Sequence, residues 1–322
     1  MRQDARRLHA NAIVVDCHCD TLSFLAEKGG SFEAGTKGQV DLPRLKRGGV
    51  NIQFFAVFVS PQYRGAYLRR ALEQVDIFAQ ITSICSEKLV SVCNPSGLDA
   101  ALAEGKIAGV LAIEGGHVVE GSIGVLRAFY RVGVRCLTLT WNCRNELADG
   151  VAENESGGGL TSFGREVVRE MERLGMMIDV AHLAPAGFWD VLRLAQGPVI
   201  ASHANSRRLC GHPRNLTDDQ VRELAGGGGV IGVSFVPEFI DPVRPTLDRL
   251  VDHIEHLAAV GGSGCVGIGS DFDGAPRMVT GLEDAACLPL LTERLVGRGW
   301  QEADIRKVLG ENFLRVMKEV WK

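Results

Sequence analysis

His18 lies in the stretch Asp16-Cys17-His18-Cys19-Asp20, directly after the apolar run Ala12-Ile13-Val14-Val15. An extended chain puts alternate side chains on one face, so Asp16, His18 and Asp20 are expected to point the same way. An imidazole between two carboxylates at the end of a buried strand needs a neutralising positive charge, and a divalent metal supplies one. A hydrogen-bonded histidine at a strand terminus is the plainer alternative. Repetition favours the metal. Glu114 closes Leu111-Ala112-Ile113, His182 closes Ile178-Asp179-Val180-Ala181, and His203 closes Val199-Ile200-Ala201-Ser202; Asp271 follows Gly267-Ile268-Gly269-Ser270. Three histidines and three carboxylates at the carboxyl ends of five apolar runs predict a metal site, most simply a binuclear one.

Imidazole and carboxylate without thiolate suit Zn²⁺, with Mn²⁺, Co²⁺ or Fe²⁺ as alternatives. Two metals that share a carboxylate can bridge a hydroxide, and a catalytic zinc lowers the pKa of water to about 7. A remaining carboxylate can carry the proton to a leaving amine. The predicted reaction is hydrolysis of a polarised carbonyl or of a phosphoester.

Eight short apolar runs would have to carry these groups, near residues 12–18, 51–59, 107–114, 134–140, 176–182, 198–203, 229–236 and 265–271. Helical patterns lie between them. Leu247, Leu250, Val251, Ile254 and Leu257 repeat with a period of 3.6, and Ile305, Val308 and Leu309 begin another such stripe. Thr217-Asp218-Asp219-Gln220 reads as a capping box, and the Gly226–Gly229 run as the end of that helix and a turn. Strands alternating with helices over this length predict an α/β protein, a (β/α)8 TIM barrel of the metal-dependent hydrolase type. We expect one barrel domain over residues 1–322, with C-terminal helices packed on it. An open doubly wound sheet is the alternative, but no Gly-x-Gly-x-x-Gly opens a helix after a strand. Barrel enzymes put their chemistry at the carboxyl ends of the strands, where all these ionisable residues fall.

A chain of 322 residues, 46% hydrophobic, can bury a large core. A formal charge of −4 with both signs interspersed argues against nucleic-acid or membrane-surface partners. No apolar run has spanning length, and the charged N-terminus leads almost directly into the first strand, which predicts no signal peptide. Nine scattered cysteines with no C-x-x-C pair predict free thiols in a cytoplasm.

Several stretches together resemble the membrane (renal) dipeptidase family of zinc peptidases. They are Val15-Asp16-Cys17-His18-Cys19-Asp20, Ala112-Ile113-Glu114-Gly115, Asp179-Val180-Ala181-His182, Ser202-His203, Pro213-Arg214-Asn215, Gly269-Ser270-Asp271-Phe272-Asp273-Gly274 and Gly281-Leu282-Glu283-Asp284. The resemblance covers nearly the whole chain. It implies two Zn²⁺, one held by His18 and Asp20, the other by His182 and His203, with Glu114 bridging them. It also implies Asp271 as general acid/base and Arg214 as the grip on the substrate's terminal carboxylate, a contact a guanidinium can make in two parallel hydrogen bonds. Dipeptides with a free C-terminus, including those with a D-residue second, would be the substrates, and a homodimer is compatible with the family. Mammalian members have a histidine after the strand-four Leu-Thr-Leu-Thr, where it helps to bind the scissile carbonyl. Here Leu137-Thr138-Leu139-Thr140 is followed by Trp141-Asn142. Trp141 is expected either in the pocket wall or packed in the core, and Asn142 is expected to supply the missing donor. The mammalian secretory signal and lipid-anchor tail have no counterpart in the sequence, so a soluble, bacterial-type cytoplasmic member is expected.

Alternative roles stand beside these. Asp271 is readable as a metal ligand or a helix cap, with Asp273 facing the same way. The two glycines after Glu114 read as allowing close approach to its carboxylate, or as a plain turn. Arg214 also fits an ordinary surface arginine. His253 and His256 are expected on the solvent side of their helix, His9 in the N-terminal helix, His117 in a loop, and His212 shaping the loop before Arg214. A metal-dependent amidase, lactonase or phosphoesterase on the same barrel is the alternative function, and a non-catalytic metal-binding scaffold the alternative outside enzymes.

Overall fold

The structure is a computed structural model describing residues 3–322, so Met1 and Arg2 of the charged N-terminal run lie outside the described residues. Nine parallel strands form one sheet: β1 (Val15–Asp16), β2 (Ile52–Phe58), β3 (Leu89–Ser91), β4 (Ile107–Glu114), β5 (Val134–Thr138), β6 (Met177–Asp179), β7 (Ile200–Ala201), β8 (Val230–Val233) and β9 (Val266–Ile268). Pairing runs β2-β1-β9-β8-β7-β6-β5-β4, and β2 also pairs with β4, which closes an eight-stranded barrel. Helices surround it, giving the expected (β/α)8 architecture. The eight predicted runs each contain one barrel strand. β3 was not foreseen. It pairs with the first three residues of β4, through Leu89↔Ile107 and Ser91↔Gly109, and β5 takes over from Leu111.

The two-residue period of the strands sorts the core. In β2, Ile52 and Phe54 belong to the interior cluster, and Phe55 and Val57 to the cluster shared with the outer helices. In β4, Ala108, Val110 and Ala112 face inward, whereas Ile107, Leu111 and Ile113 face out. The same parity brings Phe58 and Glu114, the last residues of these strands, to the inner face at the barrel mouth. Phe313, Val316 and Met317, from the C-terminal helix Asn312–Val320, join the interior cluster with Val15, Ile200 and Val230. These three strand residues all start their strands, so the helix packs at the end opposite the mouth.

Several local expectations meet the structure. Thr217 and Gln220 form the capping box of helix Asp218–Gly226. The Leu247–Leu257 stripe belongs to helix Leu247–Gly261, but His253 is buried, not solvent-facing: one ring nitrogen accepts from the Ser206 N–H at 3.0 Å and the other meets the Ile240 carbonyl at 2.9 Å. Half-buried His256 pairs with Asp218. His9 is buried in helix Gln3–Asn11 against Thr292 and Gly48, and His117 against the Val59 carbonyl. The glycines after Glu114 serve the turn rather than the carboxylate: Gly115 has φ +92°, and a Cβ there would meet the His117 ring, while one on Gly116 would meet Leu147 and the Leu139 carbonyl. No helix among the described residues is long and apolar enough to cross a membrane.

Candidate active site

The continuous ladder of the first strand ends at Asp16 and resumes only as the isolated Cys19–Phe272 bridge, so strict alternation does not carry through the residues between. Asp16 stays below the mouth, accepting from the Ser270 N–H at 2.8 Å, the Ser270 hydroxyl at 2.7 Å and the Gln53 amide at 2.9 Å. His18 and Asp20 go on to the mouth, so the expected common face of all three is not formed. The Asp20 N–H donates to the Phe272 carbonyl at 2.8 Å and the Asp271 N–H to the His18 carbonyl at 3.2 Å. This crossing of the β1 and β9 extensions brings Asp20 and Asp271 together. Gly274 permits it, because a Cβ there would fall 2.3 Å from Asp271 Oδ1 and 2.4 Å from Asp20 Oδ2.

The six predicted donors converge. His18 Nε2 lies 3.3 Å from Asp20 Oδ2, 3.6 Å from Glu114 Oε2 and 3.9 Å from Asp271 Oδ1. Glu114 Oε1 lies 2.7 Å from His182 Nε2 and 3.6 Å from His203 Nε2. His182 and His203 stand 2.8 Å apart through their Nε2 atoms. The two oxygens of Glu114 thus face different imidazoles. Asp273 does not join the cluster: it accepts from the Thr21 hydroxyl and the Gln39 N–H.

This donor set suits divalent cations. His18, Glu114 and His203 form one compact group, and His18, Asp20 and Asp271 another. Asp20 Oδ1 is buried with no hydrogen-bond partner, an acceptor that a cation would satisfy. Burial pushes the Glu114 carboxyl well up, and Asp20 and Asp271 add to the rise. Burial opposes a charge on His18, but Glu114, Asp20 and Asp271 override it and raise its pKa to about 10. Burial, with Arg214 and His18 nearby, holds His182 and His203 well below the usual histidine range, which keeps their ring nitrogens available as ligands. Burial also pushes the Asp271 carboxyl up to about 7, with Asp20 adding to the rise and His18 and Arg214 opposing it.

Groups below the donors hold them in place, and sequence reading had not singled these out. Asp179, the last residue of β6, accepts from the Ser202 N–H at 2.8 Å and the Ala181 N–H at 2.9 Å, and from the hydroxyls of Ser202 and Thr138. Ser202 Oγ in turn lies 2.8 Å from His203 Nδ1. An aspartate inside an otherwise apolar strand was the available signal, because a buried carboxylate requires partners.

The cluster lies in a cleft of about 600 Å³. Arg214 borders it, only 5% exposed; its Nη2 donates to the His203 carbonyl at 3.0 Å, and its Nε has no partner. Burial lowers the Arg214 pKa to about 10 against the pull of Asp271 and Glu114, leaving it charged at neutral pH. His212, two residues earlier, accepts from the Arg214 N–H at 3.2 Å and stacks near Phe239. Trp141 is wall rather than core, with its ring centroid 5.4 Å from Phe58 and 6.2 Å from His182. Asn142 also lines the cleft, with its Oδ1 2.8 Å from His182 Nδ1.

Comparison with known proteins shows the family. The backbone matches a solved dipeptidase AC, a metallopeptidase of family M19, with TM-score 0.90 and 28% identity over 96% of this chain and 99% of that one. It matches a metallopeptidase from Rhodobacter sphaeroides, liganded with a phosphinate mimic of the dipeptide L-Ala-D-Ala, with TM-score 0.88 and 28% identity over 97% and 100% of the two chains. An amidohydrolase from Pseudomonas aeruginosa is similar at 26% identity and TM-score 0.86, over 98% and 99%. The family model for membrane dipeptidases, peptidase family M19, matches residues 2–322. With the barrel closed and histidines and carboxylates gathered at its mouth, the chain belongs to the membrane dipeptidase family, peptidase family M19, and is a metal-dependent dipeptidase.

Proposed function

We propose that the protein is a binuclear zinc dipeptidase that hydrolyses dipeptides with a free C-terminal carboxylate, including those with a D-residue in second position. The observation that carries this reading is the placement of Glu114, whose Oε1 faces His182 and His203 while its Oε2 faces His18. A carboxylate so placed can serve two cations at once: His18 and Asp20 would hold one, and His182 and His203 the other. Zinc bound there supplies a polarised substrate carbonyl and a water acidified to a pKa of about 7.

The remaining work falls to the chain's own residues. Asp271, beside His18 and Asp20, takes the proton from the attacking water and delivers it to the departing nitrogen as the peptide bond breaks. Arg214 binds the terminal carboxylate through its unpartnered Nε–H and a second guanidinium N–H. Trp141 and Phe58 wall the cleft and keep bulk water from the scissile bond. The relative that holds a mimic of L-Ala-D-Ala supports acceptance of a D-residue. All nine cysteines are unpaired and six are buried, which suits a cytoplasm.

The test is turnover of L-L, L-D and D-L dipeptides by chelator-treated protein before and after addition of Zn²⁺, with bound metal counted on the same samples. Restored cleavage with two ions per chain, extending to L-D substrates, is expected. Two bound ions without dipeptide cleavage would refute the substrate assignment, and full activity with one ion would refute the binuclear centre.

A further inference from the structure

A neutral imidazole ligates through one ring nitrogen when the other carries the proton and donates it to an acceptor, and that acceptor fixes both tautomer and ring plane. His203 has such an arrangement through Ser202, which leads on to Asp179. His182 uses a different one. Its Nε2 faces Glu114 Oε1 at 2.7 Å, and its Nδ1 lies 2.8 Å from the side-chain oxygen of Asn142. We propose that Asn142 is a positioning residue: its amide oxygen accepts the Nδ1 proton of His182 and holds Nε2 toward the cation, in place of the expected donation to substrate. The proposal rests on the metal-centre reading above.

The backbone reinforces this pairing. The Val151 N–H donates to the His182 carbonyl at 2.9 Å, and the Ala152 N–H donates to the Asn142 carbonyl at 2.9 Å. Two consecutive amides therefore clamp the two residues whose side chains meet. Gly150 lets the clamp close, since a Cβ there would fall 2.1 Å from the Trp141 carbonyl oxygen and 2.4 Å from that of Asn142. His182 itself is held at φ +64°, a conformation non-glycine residues seldom adopt. Its ring thus sits on a backbone held at its carbonyl, with Asn142 setting the remaining rotation.

An asparagine side chain has one acceptor oxygen and one donor amide, so two substitutions separate the roles. Asn142→Asp keeps an acceptor for His182 and loses the donor; Asn142→Ala loses both. Zn²⁺ affinity of the full chain would be measured by competition with a chromophoric chelator, and the visible spectrum recorded after Co²⁺ substitution. Asn142→Ala is expected to weaken one of the two ions by about 10- to 100-fold and to alter the Co²⁺ bands, whereas Asn142→Asp retains or exceeds wild-type affinity. Unchanged affinity and spectrum in Asn142→Ala would overturn the proposal. So would equal losses of kcat in both variants with both ions held tightly, because that result puts the amide N–H on the substrate. If Asn142→Ala fails to fold, the near-isosteric Asn142→Asp decides alone: retained affinity supports the proposal and lost affinity overturns it. Wild-type metal stoichiometry and dipeptide turnover, read in parallel, report separately on the dipeptidase reading.

Discussion

Arg214 offers the sharpest test of substrate recognition. Its guanidinium is buried, stays charged, gives one N–H to the His203 carbonyl and leaves Nε without a partner beside the cleft. Hydrogen bonds to charged groups are worth about 1.5–3 kcal/mol each, and a carboxylate held in the fork gains two. Loss of one partner from such a desolvated pair costs about 2–5 kcal/mol, because the remaining charge is left unpaired. Arg214→Ala should therefore remove about 3–4 kcal/mol of binding to a free terminal carboxylate, roughly 10²- to 10³-fold in kcat/KM. The loss should appear mainly in KM, since the carboxylate is bound alike in ground and transition states. The assay compares a dipeptide with its C-terminal amide, for wild type and variant, with bound metal verified. Wild type should favour the acid strongly, and Arg214→Ala should lose that preference while its turnover of the amide changes much less. An unchanged KM for the acid, or equal losses on acid and amide, would refute the reasoning. The second outcome would instead mean that the variant disturbs His203 through the carbonyl Arg214 now holds.

Four further outcomes are expected. Asp271→Asn should lower kcat by about 10²- to 10⁴-fold with metal content intact, and loss of an ion would make Asp271 a ligand instead. Asp271 must be ionised to accept a proton, so kcat/KM should fall as pH drops through its pKa. Burial lifts that pKa to about 7 even with His18 and Arg214 opposing it, and bound divalent cations would favour the carboxylate further, which puts the acid limb at or below that value. Asp179→Ala leaves two N–H groups and two hydroxyls without their acceptor, and should cost at least about 3 kcal/mol in urea denaturation. Gly274→Ala should weaken metal binding, read by chelator competition, since its Cβ would displace both Asp20 and Asp271.

The individual donors were legible because each closes an apolar run. Strand parity alone brings Glu114 to the inner face of β4, and the recurrence of His and Asp at the carboxyl ends of strands indicated a barrel mouth. Parity misled at Asp16, because it holds only along an unbroken ladder, and that ladder is interrupted between Asp16 and Cys19. His253 looked polar-facing because helix periodicity says nothing about what packs over that side; the Ile240 carbonyl comes from the end of the short helix Pro237–Ile240. β3 escaped notice because three residues are too few to show a period.

The sequence by itself determined the ligand types, the alternation of strands and helices, and the end of the barrel at which chemistry occurs, since these follow from residue chemistry and short-range periodicity. Only the tertiary structure decided which atoms meet. It set the two oxygens of Glu114 against different imidazoles, placed Trp141 in the wall, and joined Asn142 to His182 across 40 residues. Those contacts arise from barrel closure and from loops crossing between strands, where separation along the chain carries no information about separation in space.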